Sequence, residues 1–421
     1  MDILVIGSGG REHAIVCKLK ESPRTGKLYC APGNGGIAKD AECVPIGAMD
    51  IPAVVAFAKE KNIDLVFVAP DDPLAAGMVD ALEKEGIPAF GPCANAAVIE
   101  ASKVFSKDLM KRYHIPTAQY EVFSEPAEAI AWIENNNRFP IVVKADGLAL
   151  GKGVLICPDF EAAKAAVKEI MEDKVFGASG SRVVVEEFLT GPEVSVLAFT
   201  DGHCVKPMVS SKDHKRALDN DEGLNTGGMG TISPNPYYTD AIAKECMETI
   251  FLPTIEAMNK EGRPFKGCLY FGLMITPDGP KVIEYNARFG DPETQVVLPR
   301  LKTDFVDIVM AVVEERLSDL TIEWSDEACA CVVMASGGYP GHYEKGIAIE
   351  GLDENGQVDG AVVYHAGTAL RDGKFVTNGG RVLGVTALGG TLPQALEKAY
   401  AAVGKIHWDG VHYRHDIGVI K

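Results

Sequence analysis

At 421 residues the chain is too long for one typical hydrophobic core, and this length predicts about three domains. Hydrophobic residues make up 47% of the sequence and aromatic residues 7%, which is enough to build the cores of an ordinary globular protein. The net charge of −18 argues against general binding to nucleic acids or to anionic membranes, because both need a basic surface. Any anionic ligand must therefore be held by local lysine, arginine and backbone N–H groups.

The ten cysteines form neither a C-x-x-C pair nor a zinc-like spacing with histidines, which predicts reduced thiols in the cytoplasm. Cys329 and Cys331 share one face of a predicted strand, so we expect them in a core. No apolar run approaches the ~20 residues that a membrane-spanning helix needs. We therefore expect no membrane partner.

The N-terminal part of the chain alternates predicted strands and helices. An apolar strand over residues 2–6 turns into a helix over residues 11–20, and helices alternate with strands again over residues 51–90. Such alternation with short turns predicts a doubly wound, parallel sheet. One further helix, over residues 94–110, leads out of this domain.

The glycine-rich turn at residues 7–10 resembles a dinucleotide-binding loop, but Glu12 stands where the third glycine belongs. Backbone N–H groups at the start of the helix suit a phosphate. A tight turn without any ligand is an equally good interpretation. A second glycine-rich loop, over residues 32–36, is predicted on the same side of the sheet.

The middle of the chain changes character, since helices and strands over residues 127–188 predict a small α+β lobe. Residues 220–236 are rich in Gly, Asn and Pro and have too few apolar residues for a core element, and loops of that length are usually functional. The remaining predicted elements are a helix over 240–260, strands over 267–276 and 280–286, a helix over 305–317, a glycine-rich β segment from 325, and a helix over 391–406.

Residues 281–291 carry a carboxylate, an amide and a guanidinium on alternate positions: Glu284, Asn286 and Arg288. Because successive side chains of a strand point to opposite faces, Glu284 and Asn286 are predicted on one face, with Ile283 and Tyr285 in a core. Two oxygen ligands one pleat apart suit Mg²⁺, which completes its shell with water and phosphate oxygens. The arginine suits an anionic substrate. The alternative is a strand with a solvated polar face.

Residues 146–153 form a glycine-rich loop between two predicted strands, with Lys152 near its end. A Walker loop differs, because it joins a strand to a helix and would have Ser or Thr at the position of Gly153. A glycine-rich hairpin with one lysine suits a flap over a triphosphate, held by N–H groups and a point charge. A mobile surface hairpin without a ligand is the alternative.

Two charged segments are open to more than one interpretation. Glu186 and Glu187 end a predicted strand and suit an adenine edge or ribose hydroxyls, although acids at strand ends are more often simply solvated. Residues 213–216, with the sequence Asp-His-Lys-Arg, suit an amino acid and a phosphate or form only a charged turn.

In chain order, a strand lysine, a glycine-rich hairpin, a Glu-Glu pair and a Glu-x-Asn strand resemble the ATP-grasp fold, whose members activate a carboxylate as an acyl phosphate. Over essentially the whole chain, the motifs resemble the glycinamide ribonucleotide synthetase (phosphoribosylamine–glycine ligase) family. The matching segments are residues 7–14, 32–34, 144–149, 151–154, 213–216, 225–230, 286–293, 365–368 and 377–384.

The resemblance implies a multidomain α/β and α+β architecture. It comprises a pre-ATP-grasp domain with a doubly wound parallel sheet over residues 1–101, a two-lobed ATP-grasp domain over 102–324 with its small lobe at about 121–189, and a small β-rich C-terminal domain over 325–421. The implied reaction joins glycine to 5-phosphoribosylamine through glycyl phosphate and converts ATP to ADP and phosphate, in purine synthesis. It implies Mg²⁺ or Mn²⁺ as cofactor and a cytoplasmic monomer without nucleic-acid or membrane partners.

The same resemblance implies roles for the matched side chains. Those implied at ATP are Lys103, Lys144, Gly151, Lys152, Gly153, Glu186, Glu187, Leu189 and Glu193. Those implied at the metal are Glu284 and Asn286, and those implied at the other two substrates are Gly9, Gly10, Asn34, Asp213, His214, Lys215 and Arg288. Among the latter, Asp213 and Arg288 would hold glycine, and Gly9, Gly10 and Asn34 would border the phosphoribosyl group. Lys152, Arg288 and Asp213 are the implied catalytic residues.

Three alternatives belong to different functional classes. The first is an ATP-grasp ligase with another acid or amine, the second an NAD-dependent oxidoreductase built on the N-terminal domain, and the third a nucleotide sensor without turnover. Glu12 in place of the third glycine disfavours the oxidoreductase. The complete set of Lys, Glu and Asn residues disfavours an inactive sensor.

Overall fold

The computed structural model describes residues 1–148, 153–175 and 177–419. Gly151 and Lys152, two of the residues implied at ATP, lie outside these ranges. Within them, no helix is both long enough and apolar enough to cross a bilayer.

The N-terminal domain is built around a five-stranded sheet. Its elements are β1 (Ile3–Gly7), α1 (Gly10–Lys20), β2 (Leu28–Pro32), β3 (Glu42–Cys43), α2 (Ile51–Glu60), β4 (Leu65–Val68), α3 (Asp71–Ala75), α4 (Met78–Lys84), β5 (Ala89–Phe90) and α5 (Ala94–Ala101). The strands are all parallel, in the order β3-β2-β1-β4-β5. Ile3 and Val5 enter one core and Leu4 and Ile6 another, because both faces of a parallel sheet are covered. The predicted doubly wound sheet is confirmed.

A small lobe follows the first domain. Its elements are α6 (Lys103–Arg112), β6 (Tyr120–Phe123), α7 (Pro126–Asn136), β7 (Ile141–Ala145), β8 (Val154–Cys157), α8 (Phe160–Met171) and β9 (Val183–Glu187). The strands form an antiparallel sheet in the order β6-β9-β7-β8, and α7 and α8 contribute to its separate core. Strands β7 and β8 flank the glycine-rich segment, as the sequence predicts.

The larger lobe contains the strand with Glu284 and Asn286. Its elements are β10 (Glu193–Asp201), β11 (Val205–Pro207), β12 (Lys212–Asp213), β13 (Arg216–Leu218), β14 (Glu222–Asn225), β15 (Gly230–Ser233), α9 (Asp240–Cys246), α10 (Leu252–Lys260), β16 (Lys266–Thr276), β17 (Gly279–Asn286), α11 (Thr294–Val297) and α12 (Phe305–Val313). Strands β11-β10-β16-β17 make one antiparallel sheet. A π-helical turn, Met247–Phe251, joins α9 to α10.

The C-terminal region completes the fold with a mostly β domain. Its elements are β18 (Ala328–Ala335), β19 (Val362–His365), β20 (Thr368–Arg371), β21 (Lys374–Thr377), β22 (Arg381–Gly389) and α13 (Leu392–Val403). Cys329 and Cys331 are fully buried in β18, which confirms their predicted place in a core. The main sheet has the order β12-β15-β18-β22-β19, so it also uses two strands that precede residue 325.

The prediction that residues 220–236 contain no core element is wrong. All four residues of β15 are buried, and this strand pairs with β18 from Gly230 opposite Val332 to Ser233 opposite Cys329. Ile232 is its single large apolar side chain. The segment is held in the core mainly by its backbone ladder and small residues, a pattern that hydrophobic periodicity does not detect.

The helix predicted over residues 94–110 is two helices, because the chain is extended at Ser102 (φ −137°, ψ 112°). The Ser102 hydroxyl accepts a hydrogen bond from the Phe105 N–H and caps α6. The helix predicted over residues 305–317 is shorter, since α12 ends at Val313. The break at Ser102 matters for the site, because the residues on its two sides contact different parts of it.

A cluster of aromatic rings joins the first domain to the larger lobe. The rings of Phe67 and Phe90 stack with their centroids 4.5 Å apart. Phe289 is the third residue after β17. Its ring centroid lies 5.9 Å from that of Phe67 and 6.0 Å from those of both Phe199 and Phe305. This packing anchors the segment that follows the Glu-x-Asn strand against two domains at once.

Candidate active site

Strand β17 ends with the two candidate metal ligands, and a β-bulge sets their direction. Val282 pairs with Leu273 but Glu284 pairs with Gly272, so Ile283 is the extra residue. Val282 and Tyr285 are therefore both buried, and Ile283 is only half-buried. The prediction that Ile283 points into a core is wrong, because simple alternation does not survive a bulge. The prediction for Tyr285 is confirmed.

Glu284 lies in a strongly cationic environment. The ammonium nitrogen of Lys215 is 3.5 Å from Glu284 Oε1. Lys215, together with Lys144, Lys103 and Arg288, outweighs the effect of burial and lowers the pKa of Glu284 to about 2. The carboxylate is therefore ionised at any physiological pH and is available to a cation.

Glu186, near the end of β9, lies beside two lysines, one of which is implied at ATP. Its Oε2 atom lies 3.0 Å from Lys144 Nζ and 3.2 Å from Lys107 Nζ. Lys144 Nζ also donates to the Ile283 carbonyl at 3.2 Å, which connects the small lobe to the bulge in β17. Glu186 Oε1 is buried and accepts no hydrogen bond from the described residues. Such a buried acceptor is expected to have a partner, and an exocyclic amine of a base would supply one.

Lys107 is a site residue that the sequence did not reveal. It lies on α6, donates to Thr117 Oγ1 at 2.8 Å and is buried beside Glu186. Burial lowers the pKa of Lys107 to about 8, against the opposing effect of Glu186. A lysine within a helix has no motif of its own, so only the fold brings it to the nucleotide residues.

The connection between the lobes contains three further residues implied at ATP. Glu187 Oε1 accepts from the Gln119 N–H at 3.0 Å, so this carboxylate ties the end of β9 to the residue that precedes β6. Leu189 is half-buried after β9, and Glu193 is exposed at the start of β10. Glu193 Oε2 is 4.0 Å from Nζ of Lys215, the same lysine that neighbours Glu284.

The base of the glycine-rich hairpin is attached to the N-terminus of α6. Asp146 accepts from the Ser102 hydroxyl at 3.0 Å, the Val104 N–H at 3.2 Å and Arg182 Nη2 at 2.6 Å. Lys103 Nζ donates to the Gly147 carbonyl at 2.7 Å. The ammonium group of Lys103 therefore lies where the hairpin begins, and burial lowers its pKa.

Arg288 and Asn286 share one partner, Glu100, which no sequence motif included. Glu100 Oε1 lies 3.0 Å from Arg288 Nη2, and Oε2 accepts from the Ala287 N–H at 2.7 Å. The side-chain amide of Asn286 lies 2.9 Å from Oε1, and its nitrogen is assigned to this position from the hydrogen bonding. Burial raises the pKa of Glu100 to about 7, while Arg288 acts in the opposite direction. Arg288 Nε is buried without a partner among the described residues.

The half-buried Asp213 and the buried Glu293 form an acidic pair beside Lys215. Burial and the neighbouring Glu293 raise the pKa of Asp213 well above its usual value, and burial raises that of Glu293. Ser195 donates to Glu293 Oε1 at 3.4 Å and contacts the Tyr270 hydroxyl at 2.9 Å. Two neighbouring carboxyl groups with raised pKa values suit a ligand ammonium group, which would restore their ionised forms.

His214 and Asn34 already satisfy their hydrogen bonds within the protein. One His214 ring nitrogen contacts the Gly230 carbonyl at 3.1 Å, and the other accepts from the Gly418 N–H at 3.1 Å. The Asn34 amide nitrogen donates to the carbonyls of Ser8 and His365. Both side chains shape the walls of the site, and their polar atoms are engaged away from any substrate.

The turn with Gly9 and Gly10 lies against the segment that follows β17. A Cβ atom at Gly9 would be 3.3 Å from Asp291 Oδ2, and one at Gly10 would be 2.8 Å from Gln295 Nε2. Glu12 Oε2 accepts from the Gly9 N–H at 2.6 Å. This carboxylate occupies the position where a dinucleotide phosphate would need a free donor, which disfavours the NAD interpretation.

Comparison with known proteins places the whole chain in one family. Family models described as the phosphoribosylglycinamide synthetase N domain, ATP-grasp (A) domain and C domain match residues 1–100, 101–294 and 329–420. A phosphoribosylamine–glycine ligase of Caldanaerobacter subterraneus subsp. tengcongensis is 50% identical over 417 residues, covering 99% of each chain. The protein of the same name from Escherichia coli K12 is 49% identical over 422 residues, covering 99% of this chain and 98% of its own.

Solved structures share the architecture. A phosphoribosylamine–glycine ligase from Thermotoga maritima superposes with a TM-score of 0.87 at 34% identity, covering 99% of this chain and 100% of that one. The biotin carboxylase domain of Hydrogenobacter thermophilus 2-oxoglutarate carboxylase, in complex with MgADP and bicarbonate, has a TM-score of 0.74 at 15% identity over 98% and 91% of the two chains. At that identity, the likeness concerns the ATP-grasp fold alone.

The buried His214 predicts a specific pH dependence of stability. Burial lowers its pKa to about 4, whereas a histidine in an unfolded chain titrates at about 6.5. Between these values the unfolded chain binds the extra proton, so stability is full above pH ~6.5 and decreases as the pH falls towards ~4. In His214→Gln, the loss of unfolding free energy between pH 7 and pH 5 should be smaller by roughly 2 kcal/mol.

Urea denaturation at the two pH values measures this difference. His342 is exposed, so His342→Gln is a matched control that should show the wild-type loss. An equal loss in His214→Gln and wild type would contradict the neutral, buried state of His214.

Proposed function

The chain belongs to the phosphoribosylglycinamide synthetase family, and from this premise we propose that it joins glycine to 5-phosphoribosylamine with hydrolysis of ATP to ADP and phosphate. The product is glycinamide ribonucleotide, formed in purine biosynthesis. The enzyme is an ATP-dependent carboxylate–amine ligase. The supporting observation is that the ionised Glu284 lies in the electrostatic field of Lys144, Lys215 and Arg288. Residues proposed to bind the nucleotide, the metal and the amino acid are thus neighbours.

ATP is held between the two lobes of the ATP-grasp domain. Glu186 Oε1, the buried acceptor without a described partner, takes a hydrogen bond from adenine, and Glu193 takes one from the ribose. Lys103 and Lys144 neutralise phosphate oxygens. Lys152 belongs to the same set by its place in the glycine-rich hairpin of the sequence. Gly151 and Gly153 flank it there.

Glu284 and Asn286 hold the divalent cation, which we propose to be Mg²⁺, with Mn²⁺ as a substitute. The residues fit such an ion because one offers a carboxylate with a pKa of about 2 and the other an amide oxygen. Gly272 lies opposite Glu284 and Tyr270 opposite Asn286, so strand β16 adds no carboxylate to the pair. When bound, the cation neutralises charge on the transferred phosphoryl group.

Glycine binds as a zwitterion between Arg288 and the acidic pair. The Arg288 guanidinium receives the carboxylate, while Asp213 and Glu293 receive the ammonium group and recover their charge in doing so. The positive charge of Lys215 opposes the rise in the pKa of Asp213. This arrangement exposes one carboxylate oxygen of glycine to the terminal phosphate of ATP.

The reaction proceeds through glycyl phosphate without a covalent enzyme intermediate. The glycine carboxylate attacks the γ-phosphorus and ADP leaves, while Arg288 and Lys152 neutralise the developing charge. The amine of phosphoribosylamine then attacks the glycyl carbonyl, and phosphate leaves. No serine or cysteine nucleophile is needed, so catalysis consists of positioning and charge stabilisation.

Phosphoribosylamine binds next to the turn at Gly9 and Gly10. The turn packs closely against Asp291, since a Cβ added at Gly9 would be 3.3 Å from Asp291 Oδ2. We therefore propose that the amine enters beside the segment that contains Arg288. Asn34 contributes by holding the loop through its bond to the Ser8 carbonyl. The ten cysteines, all free in the structure, support a cytoplasmic location, and we take the monomer as the active unit.

ADP release with single omissions tests the proposed reaction. ADP should form with glycine, freshly prepared phosphoribosylamine and ATP together, and omission of either glycine or the amine should reduce its steady-state rate by at least about 100-fold. Replacement of glycine by alanine separates this enzyme from other ATP-grasp ligases, and should abolish product formation. Full activity with another acid or amine, and none with these, would contradict the assignment.

Glu284→Gln tests the metal site. The substitution keeps the volume and removes the charge, so turnover should fall by at least ~100-fold, as expected for the loss of a major electrostatic stabiliser. The unfolding midpoint should change little because the glutamate is partly exposed, at 35% of its side chain. Glu248→Gln, on the surface of the π-helical turn, is the control with wild-type turnover. Wild-type turnover in Glu284→Gln would refute the site.

A further inference from the structure

Glu100 is a buried carboxylate of the first domain that contacts the end of β17, the strand with the proposed metal ligands. It is the penultimate residue of α5, and only 7% of its side chain is exposed. It lies outside the residues assigned above to ATP, metal or substrate. A buried acid needs several hydrogen bonds to remain in place. Among the described residues, Glu100 has hydrogen-bond partners in three consecutive residues of the site.

Those three residues are Asn286, Ala287 and Arg288. Glu100 Oε2 accepts from the Ala287 N–H at 2.7 Å. Oε1 accepts from Arg288 Nη2 at 3.0 Å. The Asn286 side-chain amide lies 2.9 Å from the same oxygen, and its nitrogen is assigned to that side because this orientation satisfies both groups. One carboxylate therefore contacts the proposed metal ligand, the proposed glycine-binding arginine and the backbone between them.

The chemistry of the amide makes this contact specific. An asparagine side chain has an oxygen on one side and a nitrogen on the other, and only the oxygen binds a cation. Arg288 and the Ala287 N–H favour the ionised form of Glu100. In that form the carboxylate has only acceptors, so it forms a favourable bond with the amide nitrogen and repels the amide oxygen. Glu100 thus selects the orientation in which the Asn286 nitrogen faces Glu100 and the oxygen is turned away from it.

We propose that Glu100 is a positioning residue of the metal site, which fixes the Asn286 amide so that its oxygen is available to the cation. This inference rests on the proposed function, because it assumes that Asn286 is a metal ligand. Outer partners of metal ligands usually change metal affinity by about 10- to 100-fold when they are replaced. Here the partner comes from a different domain, so the metal site depends on the docking of α5 against β17.

The test measures Mn²⁺ binding to the complete chain with ADP present, by the electron paramagnetic resonance signal of free Mn²⁺. In Glu100→Gln, an amide nitrogen must face either the Ala287 N–H or the donors of Asn286 and Arg288, so one donor loses its partner. The Asn286 amide is then released from its fixed orientation. The dissociation constant for Mn²⁺ should rise by about 10-fold or more.

A double-mutant cycle distinguishes orientation from a general loss of charge. A carboxylate at position 286 offers an oxygen in either orientation, so it does not need Glu100 to turn it. In the Asn286→Asp background, Glu100→Gln should therefore weaken Mn²⁺ binding by less than about 3-fold, compared with about 10-fold in the wild-type background. The same fold-change in both backgrounds would overturn the proposal.

Asp201→Asn is the matched control for removal of a buried charge. Asp201 is 2% exposed and accepts backbone N–H groups of His203, Cys204 and Leu317. Its replacement should lower the thermal unfolding midpoint and leave Mn²⁺ affinity within about 2-fold of wild type. A loss as large as that of Glu100→Gln would contradict a specific role for Glu100.

The outcome for the wild type separates the two hypotheses. If the wild-type complex with ADP binds no Mn²⁺, the proposed metal site itself is wrong. If the wild type binds Mn²⁺ and Glu100→Gln binds it equally well, only the positioning role fails. Circular dichroism of each variant confirms that the fold is retained, and Glu100→Asp, which keeps the charge on a shorter side chain, should bind more tightly than Glu100→Gln.

Discussion

The charge on Glu284 is the constraint on which the site depends. One ionised carboxylate lies among Lys215, Lys144, Lys103 and Arg288, and these cations keep its pKa near 2 despite burial. The cations come from four different parts of the chain: the start of α6, strand β7, the segment after β12 and the segment after β17. The carboxylate offsets part of the repulsion among these cations, and the cations keep the carboxylate ionised. The same positive charge suits ATP and an acyl phosphate, in a protein whose net charge is −18.

The fold brings these groups together by joining the first domain and both lobes of the ATP-grasp domain at one strand end. The aromatic cluster around Phe289 fixes the segment after β17, and Glu100 fixes its backbone from the first domain. Two residues further along the chain, Ser102 and Lys103 hold the base of the glycine-rich hairpin. The short segment between α5 and α6 thus connects the metal strand to the nucleotide flap. A displacement of the first domain would therefore alter both.

Much of this could be predicted from the sequence, where local patterns carry the information. The alternation of strands and helices in the first domain, the hairpin strands β7 and β8, and the Glu-x-Asn strand all follow from short-range periodicity and turn residues. The bulge at Ile283 was not predictable, because one extra residue changes the face of a side chain without changing the composition. Strand β15 was missed for a related reason, since its burial comes from pairing with β18 rather than from its own hydrophobicity. Lys107, Glu293 and Glu100 were missed because their importance comes from contacts across the sequence. A buried charge on a helix, such as Glu100 in α5, has no distinguishing motif until its partner is known.

The transfer of oxygen from glycine to phosphate tests the central claim most directly. If the carboxylate of glycine attacks the γ-phosphorus of ATP, one of its oxygens becomes part of glycyl phosphate and leaves with inorganic phosphate. Glycine labelled with ¹⁸O in its carboxylate, incubated with ATP and phosphoribosylamine, should therefore yield phosphate with one labelled oxygen per molecule of product, as measured by mass spectrometry. Formation of the product with unlabelled phosphate would contradict the acyl-phosphate mechanism, and with it the arrangement of Arg288, Glu284 and the acidic pair around the reacting carboxylate.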